Sequence, residues 1–159
     1  MKIINLSEIP ESSSTSPKGT FSRTVKDVSV AHGREPDSLD LLKRHPFDIQ
    51  ICTIPPGTSR CPYHAHSAQW EYFQVLSGNG SVRHEGGVSR VGPGDTFLCR
   101  PDEPHQLSNA GTAPFVLLIV ADNPIGETCY YPDSKKWCIE GTRHRIVRSE
   151  PLDYFDGEE

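Results

Sequence analysis

The chain has 159 residues, 35% of them apolar, and a formal net charge of −5 with a pI near 5.8. That apolar content suffices for one domain core and is lean for two. No Lys/Arg cluster exceeds the Lys135–Lys136 pair or the spaced RHRIVR segment from Arg143 to Arg148, so a nucleic-acid or anionic-membrane surface is disfavoured.

The N-terminal MKIINLSEIPESSS carries one lysine and no apolar stretch long enough for a signal-peptide core. Nowhere do the roughly 18 apolar residues of a membrane span run together. A soluble, cytoplasmic protein is expected. Five cysteines (Cys52, Cys61, Cys99, Cys129, Cys138) occur without a CxxC pair, which suits a reducing compartment and small, partly buried thiols. Cys61 stands apart because it lies three residues before His64.

Fourteen prolines and thirteen glycines cut the chain into short pieces, and no segment keeps a helical apolar period beyond about two turns. The Ser/Pro/Thr-rich interval from Leu6 to Gly19 is expected to be a loop or mobile arm, TFSRTVKDVSV (Thr20 to Val30) an outer strand, and DSLDLLKRH (Asp37 to His45) a helical turn or two. After Pro46 come strand-length pieces separated by Gly or Pro turns: FDIQICTI, EYFQVLSG, GSVRHEGGVSRVG, DTFLCRP, HQLSNAG and PFVLLIVA. The EGG at Glu85 to Gly87 has the composition of a hairpin turn. Many short strands at regular spacing predict an antiparallel sandwich or barrel over residues 47–121. An N-terminal arm, residues 1–46, precedes it. A polar extension, residues 122–159, follows with Tyr130, Tyr131, Trp137, Tyr154 and Phe155, aromatics expected to pack on the barrel or on a second subunit.

Side chains at i and i+2 of a strand share a face, so His64 and His66 can present two imidazoles to one interior. Glu71 has the opposite parity and joins them only if Ser67–Gln69 breaks the strand and resets the register. Glu71, Phe73 and Val75 then share a face, and a carboxylate above that apolar floor needs a cation. A third imidazole, His105, opens a strand after a proline turn. Three histidines and a glutamate form an N3O set suited to Zn, Mn, Fe, Ni, Co or Cu. Tyr63 and Gln69 flank these residues and are candidates to hydrogen-bond a metal-bound water, with rim packing as the competing reading. Arg60 and Arg100 are candidates to meet an anionic substrate, although most arginines in such loops are solvated. His32, His45, His84 and His144 have no such company and are read as surface or turn residues. No Ser-His-Asp arrangement, phosphate loop or paired-carboxylate motif stands out.

These residues resemble the cupin pattern. Its first motif, G-x(5,6)-H-x-H-x(3,4)-E-x(6)-G, is filled by Gly57, His64, His66, Glu71 and Gly78. Its second, G-x(5)-P-x-G-x(2)-H-x(3)-N, is matched by Gly94, His105 and Asn109, with Arg100 in place of the proline and Asp102 in place of the glycine. The resemblance covers residues 47–121 and is to small single-domain bacterial members. It implies an all-β, antiparallel double-stranded jelly-roll β-barrel with N- and C-terminal arms, and a divalent transition metal inside one mouth held by His64, His66, Glu71 and His105. Proteins similar to this include metal-dependent isomerases, dioxygenases and lyases acting on small oxygenated molecules. Others are non-catalytic metal- or sugar-binding modules, and a cofactor-free sugar epimerase is a poorer third reading. A small-molecule ligand in the barrel and a homodimer are expected, the dimer because small jelly rolls expose sheet edges.

Overall fold

The computed structural model describes residues 1–36, 38–139 and 145–158. In chain order the strands are β1 (Glu11–Thr15), β2 (Ser22–Asp27), β3 (Phe47–Ile54), β4 (Ala65–His66), β5 (Glu71–Ser77), β6 (Gly80–His84), β7 (Gly87–Val91), β8 (Thr96–Cys99), β9 (Gln106–Ser108), β10 (Phe115–Asp122), β11 (Thr128–Tyr131), β12 (Lys136–Ile139) and β13 (Arg145–Val147). Helix is confined to a 3-10 turn at Leu6–Glu8 and to α1 (Val28–Ala31) and α2 (Leu41–Arg44). The last falls in the interval expected to hold a helical turn. His144 lies outside the described residues.

All named strand pairs are antiparallel, in sheets ordered β1-β2-β3-β10-β5-β8, β7-β6-β9 and β13-β12-β11-β4. The antiparallel jelly-roll reading therefore holds, although the sheets do not join into one continuously hydrogen-bonded barrel among the described residues. β5 and β10 both alternate buried and half-buried positions, the period-2 signature of a strand with one face on a core. Phe73 and Val75 from β5 and Phe115, Leu117 and Ile119 from β10 meet Cys52 and Ile54 of β3, and Val82 and Leu107 close the cluster from the facing sheet. Each large side chain so buried contributes about 1.5–3 kcal/mol.

Two motif positions explain the turns that aim this core. Gly78 has φ +75°, and a Cβ there would lie 2.1 Å from the Pro114 carbonyl oxygen, so neither the conformation nor the space admits a side chain. Asn109, buried at the end of β9, donates through Nδ2 to Ile54 O (2.8 Å) and Ala113 O (2.9 Å) and accepts from Gly111 N (2.9 Å). It ties the β9–β10 loop to itself and to the end of β3 with one side chain. Asp102, standing where the cupin motif has glycine, adopts φ +62°, a left-handed conformation that Asp tolerates better than most residues.

The structure corrects one expectation. Leu6 to Gly19 is not a loop throughout, because β1 pairs residue for residue with β2. All five β1 side chains are exposed, so no apolar alternation marks this strand. Hydroxyl pairs across the ladder, Ser13–Thr24 (2.8 Å) and Thr15–Ser22 (2.9 Å), accompany the pairing instead. The Thr20–Val30 segment supplies β2 as expected, and Asp27 then caps α1 by accepting from Val30 N at 2.9 Å. The C-terminal extension packs against its own chain: β11 pairs with β4, setting Cys129 opposite His66 and Tyr130 opposite Ala65.

Candidate metal centre

His64 and His105 face each other through an antiparallel bridge, with His64 N donating to His105 O at 3.2 Å and His105 N to His64 O at 2.8 Å. Two residues on, His66 occupies β4, and the chain then breaks before β5 begins at Glu71. That break resets the register, as the parity argument required. Glu71 lies buried directly above Phe73 and Val75. The donor atoms of His64, Glu71 and His105 lie within 4.8 Å of one another, and His66 Nε2 is 3.3 Å from Glu71 Oε2.

Each imidazole is oriented through Nδ1, which leaves Nε2 for the centre. Nδ1 of His64 donates to Pro62 O (2.8 Å), that of His105 to Glu103 O (3.1 Å), and that of His66 to the Glu127 carboxylate (3.2 Å). Such outer hydrogen bonds fix tautomer and ring orientation at metal sites. His105 Nε2 approaches Glu71 Oε2 to 2.8 Å, yet neither atom completes a well-aligned hydrogen bond and both are buried. With the His105 Nδ1–H already given to Glu103 O, a shared proton or a metal cation between Nε2 and the carboxylate is what makes the contact favourable. The donor set therefore fits a divalent transition metal.

The charges agree with this geometry. Burial alone would raise the Glu71 carboxyl, but His105, His66 and the Arg60 charge hold it well below the usual carboxylate range. Burial pulls His64 down to about 4. His66 is also disfavoured as a cation by burial, but its contacts with the Glu127 and Glu71 carboxylates outweigh this and raise it to about 9. Arg60 lies 3.6 Å from Glu71 with a side chain only 10% exposed.

A cavity of about 310 Å³ opens over the cluster, bordered by His64, His66, Glu71, Arg60, Arg23 and Tyr131 among others. His105 is not on this wall and borders a separate cavity together with Cys99 and Pro104. Gln69 borders the cavity, with its Nε2 donating to Asp122 O at 2.5 Å. Tyr63 does not border it: the ring is buried beneath the Arg83 guanidinium at 3.8 Å, and Arg83 is held in turn by Asp133. Arg100 is also turned away, its guanidinium bonded to Glu103.

The residues that sequence reasoning missed come from the extension. Buried Glu127 accepts from Ser67 N (2.9 Å) and Ala68 N (3.1 Å) as well as from His66. Tyr131 borders the cavity, and burial raises its phenol, which therefore stays protonated. Both sit about sixty positions from the motif they serve, and no spacing pattern links them to it.

Comparison with known proteins agrees with the fold. Residues 50–121 match the family described as Cupin domain. A structure from Acidithiobacillus ferrooxidans described as a candidate sugar phosphate isomerase is 23% identical, covers 93% of this chain and 92% of its own, and has a TM-score of 0.78. A cupin-superfamily sugar phosphate isomerase from Silicibacter pomeroyi is 22% identical over 96% of this chain and 98% of its own, also with a TM-score of 0.78. A protein from Thermotoga maritima described as a predicted oxalate decarboxylase is 18% identical over 77% and 100% of the two chains, with a TM-score of 0.61. No curated protein matches the sequence. The antiparallel jelly roll and the family match agree: residues 50–121 of this chain match the Cupin domain family, and the fold is that of the cupin structures it resembles.

Proposed function

We propose that this cupin is a metal-dependent enzyme of isomerase type acting on a small, anionic, oxygenated metabolite such as a sugar phosphate. The observation that carries the reading is the pairing of a buried His/Glu cluster with two arginines on one cavity. Arg60 is matched to Glu71, whereas Arg23 has no carboxylate partner among the described residues. A cation on a cavity wall that already holds a metal-binding cluster selects an anionic guest. The two neighbouring structures named as sugar phosphate isomerases belong to the same substrate class.

His64, His66, Glu71 and His105 would hold the metal. When bound, it supplies Lewis-acid polarisation of the substrate's carbonyl and hydroxyl oxygens. Arg23 and Arg60 bind and orient the anionic end, while Ile119 and Ala121 give the inner wall an apolar surface that limits water. The Tyr131 hydroxyl, kept protonated, donates a hydrogen bond to a substrate oxygen. Tyr131, rather than Tyr63, is thus the tyrosine that meets the cavity's contents. The dioxygenase variant would use the same cluster, but nothing on the cavity wall favours it. A homodimer formed over the outer sheet face, where Leu76 and Leu98 are exposed, completes the reading, and mass in solution at micromolar concentration checks it.

The test is a comparison of phosphorylated and unphosphorylated aldoses and ketoses as substrates and as ligands of the metal-loaded protein. Turnover of a phosphorylated sugar, with KM raised about tenfold or more in Arg23→Gln, is expected. Saturable binding without turnover of any of them would instead make the protein a non-catalytic binding module.

A further inference from the structure

The wall beside His66 carries sulfur. Cys129 stands directly across from His66 in the β4–β11 register, and cross-strand partners on one face bring their Cβ atoms to about 4.5–5.5 Å. The donor atoms of His64, His66 and Cys129 lie within 4.8 Å of one another. The same bound holds for His64, Glu71 and His105, and His64 belongs to both clusters. Cys129 and His64 are buried, and all three residues border the same cavity. Cys61 and Cys138 border it too, but neither joins a three-donor cluster among the described residues.

We propose that the cavity contains a second, overlapping ion site, His64–His66–Cys129, which takes a thiophilic cation such as Zn²⁺, while the His64–Glu71–His105 set takes ions that favour oxygen, such as Mn²⁺. Thiolate and imidazole are the preferred zinc donors, and three protein ligands with a fourth position open is the usual catalytic zinc arrangement. Tetrahedral zinc with bonds of about 2.0 and 2.3 Å needs N and S about 3.5 Å apart, a contraction of at most about 1.3 Å from the 4.8 Å bound, which side-chain rotation supplies. On binding, the Zn–S bond replaces the S–H bond, the proton passes to solvent, and no electrons are transferred. Because His64 and His66 can each serve one ion at a time, the two sites exclude each other, and the identity of the metal decides whether Glu71 is a ligand or a free carboxylate facing the substrate.

This inference rests on the reading that the cluster binds metal and on no assumption about activity. X-ray absorption of the zinc-loaded full chain should show a sulfur neighbour at about 2.3 Å. It should be lost in Cys129→Ser and kept in Cys61→Ser, Cys138→Ser and Glu71→Gln. The zinc-over-manganese affinity ratio should fall about tenfold or more in Cys129→Ser, with manganese affinity unchanged. A shell of nitrogen and oxygen only, or a sulfur neighbour that survives Cys129→Ser, overturns the proposal while leaving the metal centre intact. Failure to take up any ion overturns both. Should Cys129→Ser not fold, the cobalt-loaded wild type decides, because absence of a thiolate-to-cobalt charge-transfer band refutes ligation by Cys129.

Discussion

Replacing Glu127 by glutamine tests whether the C-terminal extension supports the metal centre or only covers it. The wild-type carboxylate accepts from Ser67 N, Ala68 N and His66 Nδ1 at 2.9, 3.1 and 3.2 Å. Glutamine keeps one acceptor oxygen and turns the other into an NH2 group, which must face one of these three donors. Losing one hydrogen bond to a charged group costs about 1.5–3 kcal/mol, so the metal-free variant should unfold at lower urea by that amount. The imidazole loses its carboxylate partner, and loss of such outer support lowers metal affinity about 10- to 100-fold, equivalent to about 1.4–2.7 kcal/mol. Competition against a chelator of known affinity measures the second effect and urea unfolding the first. Affinity within about twofold of wild type, with stability within about 0.5 kcal/mol, would refute the claim that Glu127 orients His66.

Other predictions follow from the backbone and from titration. Gly78→Ala should destabilise by more than about 2 kcal/mol, because a positive φ and a backbone collision act together; urea unfolding checks it. Asp102→Gly should be near neutral and Asp102→Val should cost about 1–2 kcal/mol by the same measurement, since φ +62° is already a glycine-like conformation. In the metal-free protein, His66 has its folded pKa raised to about 9. Its contribution to stability is therefore fully present below the unfolded value of about 6.5 and is lost as pH rises through about 9. The urea midpoint should fall between pH 7 and 9, and Glu127→Gln should flatten the fall. His64, depressed to about 4, works in the opposite sense and only below about pH 6.5, so it does not mask the effect.

The parts of this molecule that were legible in the sequence are those encoded by local periodicity. His64 and His66 share a face because strands have a period of 2, and Glu71 joins them because Ser67–Gln69 breaks that period. Phe73 and Val75 declared the inner face of β5, whereas the unbroken apolar run of β10 declared a strand but not which of its faces meets the core. What was not legible is either unpatterned or long-range. β1 has no buried side chain and hence no apolar signature, and its pairing is a matter of hydroxyls and backbone. Arg60 resembled any loop arginine until the fold set it 3.6 Å from Glu71. Glu127 and Cys129 reach the cluster through a pairing of β11 with a two-residue strand, and nothing in either segment announces its partner.

That pairing also sets an order of events during biosynthesis. The matched cupin domain ends at residue 121, but the strand that braces His66 spans Thr128–Tyr131. A nascent chain that has just released β10 from the ribosome carries all three imidazoles and Glu71, yet one imidazole still lacks its brace. On the proposed reading, metal capture at full affinity waits until Thr128–Tyr131, in the first third of the extension, has been made and has paired with β4, so the ion seals a fold already formed rather than nucleating it.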